Sequence, residues 1–339
     1  MILSMADALD FQIINALQIH PRVTWAQLGS VLRVDPSTIS RRWNALVASR
    51  DVWTTCFEGD IGRAEESVTA LVEIVCVPGS RSDVISELAR KGRIFSIHCT
   101  SGPRDLYIMI STPSLMAMDR YVDENVSAVH GIVGTRTHYL RTVYFEGSLW
   151  RLQTLSRSQT DALARLRPSP AKIEHRDVYS RLVTALASDV RRTTADIHQE
   201  LGRSVAAVSR DMEAILAADW VRWRVDFAHN LMGWTAAAVL WLNVKQSDLE
   251  RVASSLKYLP QVRFCASVTG EANLAVSMWL HNLQELDALE SKVTRTFDTV
   301  EVKDRWIVPR IVKRAGHLLD LDSRRQDLDP LDRHAIVED

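Results

Sequence analysis

The sequence predicts an α+β fold in which one unit occurs twice: a winged-helix-like helix-turn-helix, then a ferredoxin-like βαββαβ domain. Two observations carry this. Residues 24–46, TWAQLGSVLRVDPSTISRRWNAL, overlay residues 193–215, TTADIHQELGRSVAAVSRDMEAI, without a gap, sharing Ser40-Arg41 with Ser209-Arg210. Beyond each, residues 68–111 and 234–280 run strand-like, then helix-like, then through a glycine turn in SIHCTSGPRDLYIMI and CASVTGEANLAVSMWL. Such self-similarity decides the architecture before any local pattern does.

In the first unit, Leu9, Ile13, Ile14 and Leu17 make one apolar stripe over 8–19, stopped by His20-Pro21. Thr24 caps the next helix, with Gln27 at capping-box spacing and Ala26, Leu28 and Val31 inward. After Arg33-Val34-Asp35, Pro36 opens a third helix over 36–49 with Ile39, Trp43 and Leu46 inward. A β-rich stretch, 51–58, and a polar connection, 61–67, lead to an apolar strand at 71–77. A helix at 80–89, strands at 93–100 and 105–110, a helix at 114–125 and a long strand at 131–144 complete βαββαβ, an antiparallel sheet with both helices on one face. Its open face needs a cover, and a second copy is the economical one.

Residues 155–166 predict a helix ended by Pro168 and Pro170. The second unit then repeats: helices near 178–186, 194–201 and 204–217, a β-rich extension at 220–227, strands at 236–244, 262–269, 272–279 and 297–311, and helices at 247–256 and 283–292. The expected domains are 1–60 and 173–228 (helix-turn-helix), 61–147 and 229–315 (ferredoxin-like), a linker at 148–172 and a flexible tail at 316–339.

The formal net charge of −1 gives no overall basic signature, so any nucleic-acid footprint has to be local. Cys56, Cys76, Cys99 and Cys265 have no C-x-x-C spacing and read as reduced, buried thiols. The N-terminus lacks the basic region of a signal peptide and no run reaches 18 apolar residues, so a cytoplasmic protein with no membrane partner is expected.

A tight turn between second and third helices fits modules whose third helix enters the major groove. Ser37, Thr38, Ser40 and Arg41 lie on its first turns, while Arg33, Arg42 and Arg50 are placed to meet phosphates of double-stranded DNA. The bland alternative is a packing domain with solvated arginines. The second copy keeps Arg203, Ser204, Ser209 and Arg210, but carries Asp211 where the first has Arg42 and adds Glu213; Arg191-Arg192 partly offset that charge. It is either an altered DNA reader or a structural copy.

The full order resembles the Lrp/AsnC family of bacterial and archaeal transcription regulators, through ALDFQIINALQIHPRVTWAQLGSVLRVDPSTISRRWNALV, TSGPRDLYIMI and VHGIVGTRTHYLRTVYF. The resemblance covers nearly all of 8–312, with two units where most members carry one. It implies a ligand-responsive (RAM) domain in the βαββαβ part, with Gly102, Asp105 and Thr137 matching the family's Gly-x-x-Asp turn and last-strand threonine. It further implies an amino acid or small-metabolite effector, and self-association of the tandem chain as a homodimer or homotetramer. Near that turn Ser101, Arg104 and Asp105 are effector candidates, Asp for an α-ammonium and Arg for an α-carboxylate, with His98 and His138 beside them. Against this, a turn Asp often caps its own backbone. In the second copy Asn273 replaces Asp105 and Arg305 falls near the place of Thr137, so the same site is not expected there.

No nucleophile elbow, zincin motif, phosphate loop or dinucleotide fingerprint is present, so neither an enzyme nor a cofactor is expected. His130 and His138 lie about 26 Å apart on a straight strand and share no metal. The remaining alternative is a metabolite-binding or assembly protein whose helical modules have left DNA.

Overall fold

In a computed structural model, residues 6–59, 67–169 and 176–326 are described. The expectations for residues 1–5, most of the 61–67 connection, 170–175 and the end of the tail lie outside them. The first copy comprises α1 (Ala8–Ile19), α2 (Trp25–Leu32), α3 (Pro36–Ala48), β1 (Val52–Glu58), β2 (Val68–Cys76), α4 (Arg81–Ala89), β3 (Ile94–Cys99), β4 (Leu106–Thr112), α5 (Leu115–Tyr121) and β5 (Ile132–Phe145). A helix α6 (Arg157–Leu166) intervenes. The second copy comprises α7 (Asp177–Leu186), α8 (Thr194–Leu201), α9 (Val205–Ala217), β6 (Val221–Phe227), β7 (Ala236–Val244), α10 (Leu249–Leu256), β8 (Val262–Val268), β9 (Leu274–Leu280), α11 (Gln284–Thr296), β10 (Val300–Val308), β11 (Arg310–Arg314) and β12 (His317–Leu318).

The copies do not fold side by side as sequential halves. One compact unit holds both helix-turn-helix modules, residues 1–59 and 148–231; the other holds both βαββαβ domains, 60–147 and 232–339.

In the helical unit β1 and β6 form a two-stranded antiparallel sheet, Val52 opposite Phe227 and Glu58 opposite Val221. The modules are interlocked across it: α1 packs on β6 and α7 on β1. Cys56 of β1 thus lies in the apolar core of Leu182, Val183, Leu186 and Trp220. The residues expected as a linker are part of this unit. Leu163 of α6 is buried, Asn15 Oδ1 accepts Thr154 N–H at 2.9 Å, and Gln18 Oε1 accepts Leu152 N–H at 3.0 Å. The capping box of Thr24 with Gln27 forms as its spacing predicts, and Thr193 makes the equivalent box with Asp196.

In the other unit a ten-stranded sheet runs β10-β7-β9-β8-β5-β2-β4-β3-β11-β12. β5 pairs with β2 along its first half and with β8 along its second. β11 follows β10 after Pro309 but pairs with β3, near the opposite end of the strand order from β10. The sequence read residues 297–311 as one strand; Pro309 donates no N–H and divides it. One face of β2 (Ala70, Val72, Ile74, Cys76) packs on α4 residues Val84 and Leu88. The other, Leu71 and Glu73, is buried too, because the sheet of the second copy covers it. Lys313 of β11 is fully buried and donates to Ala89 O and Lys91 O at the end of α4, each at 3.1 Å. The four cysteines are free and buried.

Candidate nucleic-acid interface and effector turn

The turn between α2 and α3 depends on Gly29, where a Cβ would come within 2.8 Å of Val34 O. Arg33 closes α2 in the left-handed conformation, φ 58°, where the second copy has Gly202 at φ 63°. An arginine there costs about 1 kcal/mol that glycine does not. Asp35 then caps α3 through Ser37 N–H, and Ser37 Oγ bonds the same carboxylate. Ser37, Arg41, Asn44 and Ala45 are exposed and fall on one stripe; Thr38 and Ser40 are half-buried beside it. Arg33 and Arg50 are exposed as well. Asn44, an exposed amide on that stripe, went unnoticed in the sequence because it sits between core positions Trp43 and Leu46.

Arg42 is placed differently from its neighbour. It bridges Asp7 Oδ2 at 2.7 Å and Asp10 Oδ1 at 3.1 Å, holding α3 on the N-terminus of α1. In the second copy the same position, Asp211, is half-buried and ion-paired with Arg203. Both copies therefore use this position to brace the module, with the charge reversed. Ser204 caps α9 through Ala207 N–H, and Ser209 is half-buried. The exposed face of α9 offers Val205, Ala206, Arg210 and Glu213. Arg191 and Arg192 turn inward and do not offset its acidity: Arg191 donates to Pro21 O at 2.8 Å, and Arg192 pairs with Glu200 at 2.7 Å.

At the turn of the first ferredoxin-like domain, Gly102 has φ 91°. Asp105 Oδ2 accepts Cys76 N–H at 2.8 Å, and Asn273 Oδ1 accepts Val244 N–H at 2.9 Å at the equivalent place. The Asp-for-Asn change thus preserves a backbone tie. Ser101 Oγ accepts Ile307 N–H at 3.0 Å, and Thr269 Oγ1 accepts Tyr139 N–H at 2.9 Å. These reciprocal bonds fix the register, so His138 corresponds to Trp306, Glu73 to Trp241 and Arg104 to Ala272.

The structure gathers those residues between the sheets. Arg104 donates through Nε to Glu73 at 2.7 Å and through Nη2 to Asp304 at 2.8 Å, and lies 4.2 Å over the Trp306 ring. His138 places Nε2 2.7 Å from Glu73 Oε1 and Nδ1 3.1 Å from Thr269 O. Its ring packs on Trp241, which packs on Trp306. Burial pushes the Glu73 carboxyl up, but hydrogen bonds from His138 and Arg104 and the charge of Arg104 outweigh it, holding Glu73 below its usual value. Arg136, its side chain 71% exposed, lies 3.8 Å from Glu73. Thr137 is half-buried. His98 stands apart from this cluster, stacked on Tyr107 with centroids 4.4 Å apart. Glu73 was missed inside a run read as continuously apolar; a lone carboxylate in a buried strand is the signal that requires a partner.

Two histidines set an expected pH dependence. Burial, with the charge of Arg314 nearby, holds His98 down to about 3; burial and the charges of Arg167, Arg191 and Arg22 hold His20 down to about 4. The unfolded chain takes these protons near pH 6.5, while the folded chain resists them. Stability is therefore full above about 6.5 and declines as pH falls toward the folded values, by at most about 1.4 kcal/mol per pH unit per group. Urea midpoints at pH 7.5 and pH 5 measure this, and His98→Gln should flatten the slope.

Comparison with known proteins gives two domain matches. Residues 7–47 match the AsnC-type helix-turn-helix domain, in the first copy. Residues 237–315 match the Lrp/AsnC ligand binding domain, in the second. An uncharacterized HTH-type transcriptional regulator of Pyrococcus horikoshii is 23% identical over 137 residues, 40% of this chain and 87% of its own length. One from Pyrococcus furiosus is 21% identical over 139 residues, 41% of this chain and 94% of its own. Among solved structures, the siroheme decarboxylase NirDL aligns over 90% of this chain and 92% of its own, with a TM-score of 0.57 at 14% identity. That likeness is one of fold, over nine-tenths of each chain. Among the described residues no helix is long and apolar enough to cross a membrane.

Proposed function

We propose that this chain, in which an AsnC-type helix-turn-helix matches in the first copy and an Lrp/AsnC ligand binding domain in the second, is a tandem regulator of that type: a DNA-binding transcriptional regulator, non-enzymatic, whose affinity responds to an amino acid or related small metabolite. The observation that carries the reading is the exposed stripe Ser37, Arg41 and Asn44 on α3, within the matched helix-turn-helix and, among the described residues, without an ion pair. Arg can grip guanine and Asn adenine bidentately, while Ser37 and Thr38 bond phosphate or base edges. Arg33 supports it: an arginine retained at a strained position is accounted for by a phosphate contact.

The modules contribute unequally in this reading. α3 reads bases; α9, with Glu213 exposed and Val205 47% exposed at its start, supplies weaker contact through Arg210 and Ser209. For the effector, Arg104 is already doubly bridged, so exposed Arg136, 3.8 Å from Glu73, is the better carboxylate receptor. Ligand binding there changes the charge balance at Glu73 and, through Arg104, at the Arg104–Asp304 pair that joins the copies, and chains associate further as dimers or tetramers. Binding of the purified chain to genomic fragments at low and physiological salt, with and without candidate amino acids, tests this; no affinity for any duplex at low salt ends it.

A second reading has one observation in its favour. One protein of similar fold over 90% of this chain is a siroheme decarboxylase, solved also in complex with an iron-uroporphyrin III analogue. On that reading this chain is a binder of a carboxylated tetrapyrrole whose helical modules no longer engage DNA. An absorbance shift on titration with iron-uroporphyrin, without duplex binding, selects it.

A further inference from the structure

Arg22 and Arg191 occupy equivalent places, each two residues before a capping threonine, Thr24 and Thr193. Arg22 donates through both terminal nitrogens to Arg192 O at 3.1 Å, and also to Val190 O. Arg191 donates to Pro21 O at 2.8 Å and through both terminal nitrogens to Val23 O at 3.2 Å. Each arginine thus reaches across to carbonyls of the other's own turn, as in an isologous dimer contact made within one chain. The Arg191 guanidinium also lies 3.8 Å over the Trp25 ring at the start of α2.

The contact brings like charges together. Arg191 is held down to about 10, by burial first and then by Arg22, with Asp189 the carboxylate opposing. Two arginines left in water would not bear that cost. The modules are already joined by the β1–β6 ladder and by α1 and α7 packed across it. The clasp adds a further attachment, at the turns that launch α2 and α8, the helices packed on the two third helices.

We propose that the Arg22–Arg191 clasp fixes the separation and orientation of α3 and α9, so that the protein accepts only a narrow range of half-site spacings on duplex DNA. The spacing part rests on the DNA-binding reading; the geometric part does not.

Two measurements test it. Spin labels on Ala48→Cys and Glu213→Cys, with the four native cysteines buried, report the distance between α3 and α9 without DNA. A narrow distribution that broadens in Arg22→Met/Arg191→Met supports the clasp; an unchanged width and mean overturns it. Separately, unlabelled protein is titrated with duplexes whose two half-sites are moved apart one base pair at a time. The native chain should vary by about 10-fold or more across the panel and the double variant by about 2-fold or less. A flat native profile overturns the proposal. If the native chain binds no duplex, the regulator reading fails, while the label distances still decide the clasp. Should the double variant not fold, Arg191→Lys replaces it in both measurements, since lysine keeps the charge but loses the planar fork and the stacking face.

Discussion

Arg41→Ala is expected to lower duplex affinity by about 10- to 100-fold while leaving the urea midpoint unchanged. Arg41 is the exposed cation on the candidate reading face of α3, and among the described residues it makes no ion pair. A bidentate arginine–guanine contact is worth about 1–3 kcal/mol of discrimination, and each 1.4 kcal/mol is tenfold. Arg42→Ala should do the reverse. Its guanidinium is bridged to Asp7 and Asp10, so its loss costs stability, about 1 kcal/mol for a half-exposed pair. The salt dependence tells what Arg41 touches: a phosphate contact reduces the log–log slope by about 1, whereas a base contact relaxes preference at one position and leaves the slope alone. If Arg41→Ala binds every duplex as the native chain does, α3 is not a reading helix.

How much of this was legible depends on range. The capping boxes at Thr24 and Thr193, Pro36 opening α3, and the βαββαβ order are written in local spacing, and the structure has them where the residues put them. Pairing is not local. Nothing in 52–58 says that it pairs with 221–227, so the sorting of four domains into two mixed units could not be read from order along the chain. The same limit explains Arg191 and Arg192. A basic pair before a helix reads as a phosphate contact until the partner carbonyls of Pro21 and Val23, far away in sequence, come into place. Asp105 says less about a ligand than its place suggests, for a subtler reason. Its conspicuous position in a glycine turn is explained by a backbone bond that Asn273 makes equally well. Glu73 was the informative residue, and it was hidden by the very run of apolar neighbours that makes it informative.

Glu73→Ala is accordingly the substitution expected to destabilise most, by about 3–5 kcal/mol, because it strands Arg104 and His138 in a site where both are nearly buried. Arg104 retains Asp304, which is about half exposed and a weaker anchor. The second copy shows what an apolar solution looks like: Trp241, Trp306 and Ala272 stand where the first has Glu73, His138 and Arg104. Removing the whole network together, as Glu73→Leu/His138→Phe/Arg104→Met, should therefore cost much less than Glu73→Ala alone, about 2 kcal/mol or under, since the one charge that loses its partner, Asp304, is about half exposed and still accepts from Arg305 N–H and Trp306 Nε1. The pH dependence has a definite sign. Glu73 is held below its ordinary value in the folded chain, so its contribution is complete above about pH 4.5 and is lost as pH falls through the folded value. Urea unfolding of the three proteins at pH 7 and pH 4 measures both effects. A single variant no less stable than the triple one would mean that the cluster is not a coupled network. A triple variant that folds but no longer answers a small-molecule effector would instead assign the network to signalling, in the copy where its charges were kept.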